Sequence, residues 1–257
     1  MSEKNRDGKR TARERLAVER EKQKAAEKRR RALIVGASVV CVLGLAAVIG
    51  VVAANAGKDK GDKAGPVVAP SGAQGKDSLA IPVGKDGAKS TLTVWEDFRC
   101  PACQSFELAY RPTLHELADA GKLKIEYHLV RLIDGNLGGS GSLRSANAAA
   151  CAQDAGKFRD YHDVLYANQP KETDDAFGDD AKLIALAGKV RGLDTPAFRK
   201  CVENGTHNNW VDKSNQAFRA GGFNGTPTVL FGGKNIYQDQ TMTPAKLKEM
   251  VEAADRG

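Results

Sequence analysis

Cys100-Pro101-Ala102-Cys103, the CPAC motif, follows an apolar run at residues 92–95 and opens a segment whose apolar residues recur at helical intervals. Two thiols three positions apart at the start of a helix lie side by side. The unpaired backbone N–H groups of that helix end favour the thiolate of the first cysteine. Such a pair can cycle between dithiol and disulfide and exchange with the cysteines of another protein. The motif therefore predicts redox chemistry at Cys100 and Cys103.

A Cys-x-x-Cys motif also occurs as half of a zinc site or as an inert structural disulfide. A zinc site needs a second pair of ligands, but Cys151 and Cys201 are isolated in the sequence. The histidines, at positions 115, 128, 162 and 207, form no second pair either. We therefore expect no metal at the motif and no other cofactor, whereas a structural disulfide stays open as an alternative.

The positive charge of the chain is concentrated in its first 31 residues. The whole chain has 39 basic and 32 acidic residues, and residues 1–31 contain 13 and 6 of them, so the rest is balanced at 26 of each. The basic balance is thus a property of the tail and gives no support to nucleic-acid binding by the remainder.

An apolar run of 23 residues without a charge, 32–54, follows this basic tail. At ~1.5 Å per residue it is long enough to cross a hydrocarbon core of ~30 Å, and the tail should stay in the cytoplasm. The alternative is a cleaved signal peptide, because Ala54-Asn55-Ala56 resembles a cleavage site, although the run exceeds the usual ~7–15 residues. Both interpretations place the CPAC motif outside the cytoplasm, where disulfides persist.

The remaining chain is predicted to form a tether and one folded domain. Residues 55–77 are rich in Gly, Lys, Asp, Ala and Pro without an apolar period, which predicts a flexible tether. The domain should then span residues 78–257. Its strands are predicted at 79–83, 90–96, 122–133, 228–231 and 236–237, with a loop at 134–141. Its helices are predicted at 100–118, 142–155, 158–168, 180–190, 196–203, 208–220 and from 243.

This order places a block of helices between a β-α-β unit and a β-β-α unit, which predicts an α/β fold with a helical insertion. Alternation along 122–133 predicts that His128 faces solvent. Cys151 and Cys201 fall on apolar helix faces inside the block. Outside the cytoplasm they should pair, although two separate buried thiols or a second redox relay are alternatives. Cys41, within the apolar run, is interpreted as an apolar filler.

The strand leading into Phe98-Arg99-CPAC, together with Gly225-Thr226-Pro227-Thr228, resembles the thioredoxin superfamily. The helical block resembles its DsbA-like branch of extracytoplasmic thiol oxidoreductases, and the resemblance covers residues 78–254. It implies a thioredoxin-like fold with an all-helical insertion at about 142–206, preceded here by one transmembrane helix. An anchored, monomeric member of actinobacterial type fits this organisation.

The resemblance implies roles for individual residues. Cys100 is the nucleophile, Cys103 resolves the mixed disulfide, and Thr226-Pro227 forms a cis-proline loop beside them. The backbone of that loop, with Pro101 and Ala102, would contact the substrate. Two positions depart from the family pattern, because Val94 replaces an acid and Ala102 replaces the histidine of strong oxidants. We therefore expect a less oxidising disulfide than in the strongest oxidants.

The implied function is introduction of disulfides into exported proteins, followed by reoxidation through a quinone-linked membrane partner. One alternative reverses the chemistry and gives a disulfide reductase or isomerase. Another is a tethered peptide-binding module of the same fold whose disulfide has only a structural role.

Overall fold

The computed structural model describes residues 65–256 of the chain. The predicted basic tail, the apolar run at 32–54 and the first part of the tether lie outside the described residues. Among the helices of residues 65–256, none combines the length and the apolar character needed to cross a membrane.

Five strands form one mixed sheet. They are β1 (Ile81–Val83), β2 (Ser90–Glu96), β3 (Leu123–Leu129), β4 (Thr228–Phe231) and β5 (Lys234–Asn235). Their spatial order is β1-β3-β2-β4-β5, so β1 lies at an edge, as its proline predicts. Strands β2 and β3 are parallel, and the other neighbours are antiparallel.

The central strand β2 carries the chain towards the CPAC motif. Its Val94 lies opposite Tyr127 of β3 and Val229 of β4, and it is fully buried. The next residue, Trp95, points to the other side of the sheet, where it packs with Phe218 in a separate apolar cluster. Both faces of β2 are therefore covered, so the strand end that precedes the motif is fixed from two sides.

Eight α-helices accompany the sheet within residues 65–256. They are α1 (Pro101–Asp119), α2 (Leu132–Leu137), α3 (Gly141–Asp154), α4 (Phe158–Ala167), α5 (Asp180–Ala187), α6 (Pro196–Glu203), α7 (Asn208–Ala220) and α8 (Pro244–Arg256). Helices α2–α7 lie between β3 and β4 in sequence and form the helical insertion. Short 3-10 turns occur at Lys76–Ser78 and Ala176–Gly178.

Helix α3 is the centre of the insertion. Its sequence is rich in alanine, and Ala146, Ala148, Ala149, Ala150 and Ala152 are all fully buried. The small side chains let neighbouring helices approach closely, and α3 contacts α4, α6 and α7. Cys151 of α3 and Cys201 of α6 are joined by a disulfide in the structure.

The predicted elements are found, with two differences. The strand expected at 236–237 lies instead at Lys234–Asn235, because the Gly232-Gly233 turn pairs Phe231 directly with Lys234, and the segment after β3 differs more. The strand expected over 122–133 ends at Leu129, and α2 occupies part of the segment expected to be a loop at 134–141. Asp134 explains the helix, because its carboxylate accepts hydrogen bonds from Ser142 N and Leu143 N and from the guanidinium of Arg99. These contacts come largely from outside the segment, so its local pattern did not reveal them.

His128 does not face solvent as predicted. It is buried and stacks on Trp95, with 4.0 Å between the ring centroids. The polar side of β3 is covered at this end by α7. Burial lowers the pKa of His128 to about 4, so the imidazole is neutral at pH 7.

The tether prediction is wrong for residues 65–77, because these residues lie against the domain. Ser71 N donates to Asp154 Oδ1 at 2.7 Å, and Val68 O lies 2.8 Å from His207 Nδ1. Gln153 Nε2 donates to Ser71 O at 2.9 Å. The segment lacks an apolar period because polar groups of the insertion, rather than an apolar face, hold its backbone.

Removal of the Cys151–Cys201 disulfide should destabilise the domain. The bridge joins residues 50 positions apart, and the chain-entropy model gives a contribution of about 4 kcal/mol for such a loop. The double variant Cys151→Ser/Cys201→Ser should therefore unfold at a lower urea concentration than the parent protein. A reductant opens the Cys100–Cys103 pair in both proteins but the Cys151–Cys201 bridge only in the parent, so the parent and variant curves should lie close together once both proteins are reduced. Coinciding curves for the two oxidised proteins would contradict this.

Candidate active site

The CPAC motif lies where β2 gives way to α1. Cys100 is the N-cap of α1, with an extended backbone, and Pro101 occupies the first turn. Proline fits there because its missing N–H would have no partner within the helix. The side chain of Cys100 therefore lies at the positive end of α1, as the sequence predicts.

The Cys100 thiol is close to the loop that precedes β4. Its Sγ lies 3.2 Å from Thr226 O, to which the protonated thiol donates, although the two residues are 126 positions apart. The Thr226–Pro227 peptide bond is cis. Pro101 is exposed and Ala102 half-buried beside Cys100. The structure thus brings together the four residues predicted to contact a substrate and the predicted nucleophile.

The environment of Cys100 favours its thiolate. A hydrogen bond with the Cys103 thiol is the largest influence, and the backbone N–H groups of Ala102 and Cys103 act in the same direction. They outweigh the opposing effect of burial and lower the pKa of Cys100 to about 6. Cys100 is therefore mainly a thiolate at neutral pH, without the histidine that Ala102 replaces.

Cys103 has the opposite character. It is 1% exposed and packs into the main apolar core. Burial raises the pKa of its thiol well above the usual value, and the nearby charges of Cys100 and Glu96 raise it further. In the reduced form, which the structure shows, both cysteines are buried, but the Cys100 sulfur is a thiolate and the more deeply buried Cys103 sulfur is a protonated donor.

Two acids that precede the motif have different surroundings. Asp97 accepts hydrogen bonds from Arg99 N at 2.8 Å and Ile133 N at 2.9 Å, so it fixes the backbone before Cys100. Burial nevertheless raises its pKa to about 7. Glu96 is also buried and lies 2.7 Å from His162 Nε2. Of these two acids, Glu96 is the one whose charge raises the pKa of Cys103.

Arg99 is a site residue that sequence reasoning missed. It is 2% exposed, and its Nη1 donates to Asp134 Oδ1 at 2.7 Å and to Gly138 O at 2.8 Å. Asp175 of the insertion lies 3.0 Å from the same nitrogen. A buried arginine is stabilised by paired charge of this kind. The only sign of this role in the sequence is the position of Arg99 next to Cys100. The groups that pair with its guanidinium lie 35 or more residues away in the chain.

Gln169 is a second missed residue. Its Nε2 donates to Phe98 O at 2.8 Å and to Cys100 O at 3.0 Å. One amide group of the insertion thus holds the backbone on both sides of Arg99. No sequence pattern distinguished this glutamine from a surface residue.

Comparison with known proteins agrees with this geometry. The family model described as thioredoxin matches residues 77–253. The chain belongs to the thioredoxin family. A probable disulfide bond formation protein D of Bacillus cereus is 28% identical over 216 residues, which cover 82% of this chain and 94% of that relative.

Solved structures of thioredoxin-family disulfide oxidoreductases also resemble this chain. Oxidised DsbA of Mycobacterium tuberculosis is 29% identical, with a TM-score of 0.58, and the match covers 68% of this chain and 92% of that one. Reduced DsbG, a disulfide bond oxidoreductase of the same organism, is 28% identical, with a TM-score of 0.60 and coverage of 69% and 88%. The expected thioredoxin-like α/β fold with a helical insertion is confirmed. The chain is a DsbA-like thiol:disulfide oxidoreductase.

Replacement of Cys103 should raise the pKa of Cys100. In Cys103→Ala the largest stabilising hydrogen bond to the thiolate is lost, so the pKa should rise from about 6 by one unit or more. Thiolate absorbance against pH measures this in a protein whose other cysteines are bonded or blocked. Cys103→Ser is the matched control, because its hydroxyl can still donate and should leave a smaller rise. An unchanged pKa in Cys103→Ala would show that the backbone alone stabilises the thiolate.

Proposed function

We propose that this oxidoreductase acts as an oxidase, which donates the Cys100–Cys103 disulfide to newly exported proteins. The observation that carries the proposal is the lowered pKa of the Cys100 thiolate next to the buried Cys103 thiol. Groups that stabilise the thiolate stabilise the reduced enzyme. A disulfide whose reduced form is stabilised is a stronger oxidant.

The reaction proceeds in two exchanges. A substrate thiolate attacks Cys100 Sγ, the Cys100–Cys103 bond breaks, and Cys103 leaves with the bonding electrons and takes up a proton. A second substrate thiolate then attacks the substrate sulfur of the mixed disulfide and expels Cys100 as a thiolate. The substrate loses two electrons and two thiol protons, and the enzyme gains the electrons as a dithiol. The low pKa of Cys100 speeds this second step, because a weakly basic thiolate leaves faster.

The loop before β4 provides the substrate platform. Thr226 O lies beside the Cys100 sulfur, so an extended substrate can pair with the backbone of the loop while its cysteine approaches Cys100. Pro101, Ala102 and Pro227 border this path. Backbone pairing tolerates many side chains, which suits an enzyme that acts on exported proteins of varied sequence.

The cellular arrangement belongs to the same proposal. Residues 1–31 form a cytoplasmic tail, residues 32–54 an uncleaved single-pass anchor, and the catalytic domain is extracytoplasmic. Support comes from the uninterrupted apolar run, from the basic residues before it and from the likeness to disulfide bond formation proteins. Each turnover leaves the enzyme reduced, so a partner must reoxidise it. A quinone-linked membrane oxidase at the same membrane fits that need.

A reductase or isomerase is the second candidate, because the same exchange between Cys100, Cys103 and a substrate can run in the reverse direction. Within the described residues 65–256 no separate dimerisation domain accompanies the thioredoxin-like domain, and we propose a monomer. A peptide-binding module without redox activity is the third candidate. It would retain its biological activity when Cys100 is replaced.

Oxidative refolding separates these candidates. The oxidised protein should restore activity to reduced, unfolded ribonuclease, and Cys100→Ser should lose this effect. Cys103→Ala cannot hold the disulfide, but its Cys100 thiolate should attack a disulfide of scrambled ribonuclease, expel the other substrate sulfur as a thiolate and accumulate as a mixed disulfide, because no Cys103 thiol is present to resolve it. Equal refolding by the parent and by Cys100→Ser would refute the oxidase. If the parent only accelerates rearrangement of scrambled ribonuclease, the isomerase is favoured.

A further inference from the structure

A buried cluster behind the CPAC motif has no assigned role. Glu96 at the end of β2, Glu107 in α1 and His162 in α4 each place a ligand atom within 4.8 Å of the others. Their side chains are nearly inaccessible, at 1%, 1% and 2% exposure. Carboxyl oxygens are costly to bury without polar partners, so two carboxyl groups at one place require compensation.

The surrounding protein gives only part of that compensation. His162 Nε2 lies 2.7 Å from Glu96 Oε1, which accounts for one oxygen. Glu96 Oε2 and Glu107 Oε1 are buried without a hydrogen-bond partner in residues 65–256. Aromatic rings surround the imidazole, namely those of Phe98, Tyr127, Phe158 and Tyr166. Buried oxygens without partners are exceptional in proteins, and a bound ion is one of the recognised explanations.

We propose that Glu96, Glu107 and His162 bind one divalent transition-metal cation. One imidazole nitrogen and two carboxylates are ligands that Zn²⁺ and Mn²⁺ accept, and two carboxylates balance the charge of the ion. Ligand atoms at ~2.1 Å from one ion lie at most ~4.2 Å apart. In the structure these ligand atoms lie within 4.8 Å of one another. Side-chain movements of less than about 1 Å would therefore bring them to the separation that one ion requires.

A carboxylate next to the imidazole fits the same assignment. Asp163 Oδ1 lies 3.6 Å from His162 Nδ1, the ring nitrogen opposite the cluster. Metal-binding histidines commonly present their second nitrogen to a carboxylate, which orients the ring.

The position of the site predicts its effect. Glu96 lies four residues before Cys100 and Glu107 four after Cys103, whereas His162 belongs to the insertion. The ion would therefore join the catalytic helix to the insertion directly behind the buried thiol. The bound ion would stabilise the packing of α1 against the insertion, which orients α1. The site needs no ligand from the CPAC motif.

Zinc binding tests the assignment independently of the redox reaction. The full chain, without an affinity tag, is first oxidised at Cys100–Cys103 and its remaining thiol is alkylated, so that no thiolate can bind metal. After incubation with Zn²⁺ and gel filtration, elemental analysis should find one zinc per chain. X-ray absorption should show nitrogen and oxygen neighbours at about 2.0–2.1 Å and no sulfur at about 2.3 Å.

Variants identify the ligands. Glu107→Gln and His162→Gln, which conserve size, should bind zinc at least tenfold more weakly and lose the rise in Tm that zinc gives the parent. Glu249→Gln is the matched control, because this exposed carboxylate on α8 should leave binding unchanged. Absence of zinc from the parent protein would overturn the proposal, whatever the variants do. So would a sulfur neighbour, or equal zinc binding by Glu107→Gln and the parent.

Discussion

The hydrogen bond between the thiols of Cys100 and Cys103 is the interaction on which the chemistry depends. It is the largest influence that lowers the pKa of Cys100, and it also helps to raise the pKa of Cys103. One contact thus divides two chemically identical side chains into a thiolate and a protonated thiol. The division requires both sulfurs at the N-terminus of α1, where Cys103 at 1% exposure is more completely buried than Cys100 at 6%.

The rest of the fold holds this arrangement in place. Strand β2 is fixed on both faces and directs the chain to the motif, and the cis-proline loop places Thr226 O at the Cys100 sulfur. The insertion contributes from the other side. Arg99 is paired with Asp134, and Gln169 binds the carbonyl oxygens of Phe98 and Cys100. The helical block is therefore part of the active site and not an appendage to it.

Local patterns were enough to predict the elements that carry the reaction. Strand β2, helix α1 with Pro101 in its first turn, and strand β4 follow from alternation, helical spacing and the position of proline. The closeness of Thr226-Pro227 to the motif did not follow from any local pattern. It was inferred from family resemblance, because its partner is more than 120 residues away.

The errors have a common physical origin. The helix at residues 132–137 and the burial of His128 depend on groups distant in sequence, and polar residues were assigned to the surface by default. For that reason the sequence pattern does not indicate the site roles of three polar residues, Arg99, Gln169 and Glu96. Arg99 and Glu96 are buried and Gln169 is half-buried, and each contacts a polar group distant in sequence, which is visible only in the folded chain.

The reduction potential of the Cys100–Cys103 pair tests the account most directly. Equilibration with glutathione buffers of known composition measures it, with the dithiol fraction read from alkylated protein. Because the Cys100 thiolate is stabilised but Ala102 replaces the histidine of strong oxidants, the potential should lie between about −270 mV, as in thioredoxin, and about −120 mV, as in the strongly oxidising DsbA. A value at or below about −270 mV would contradict the proposed oxidase, since the reduced form would then not be stabilised.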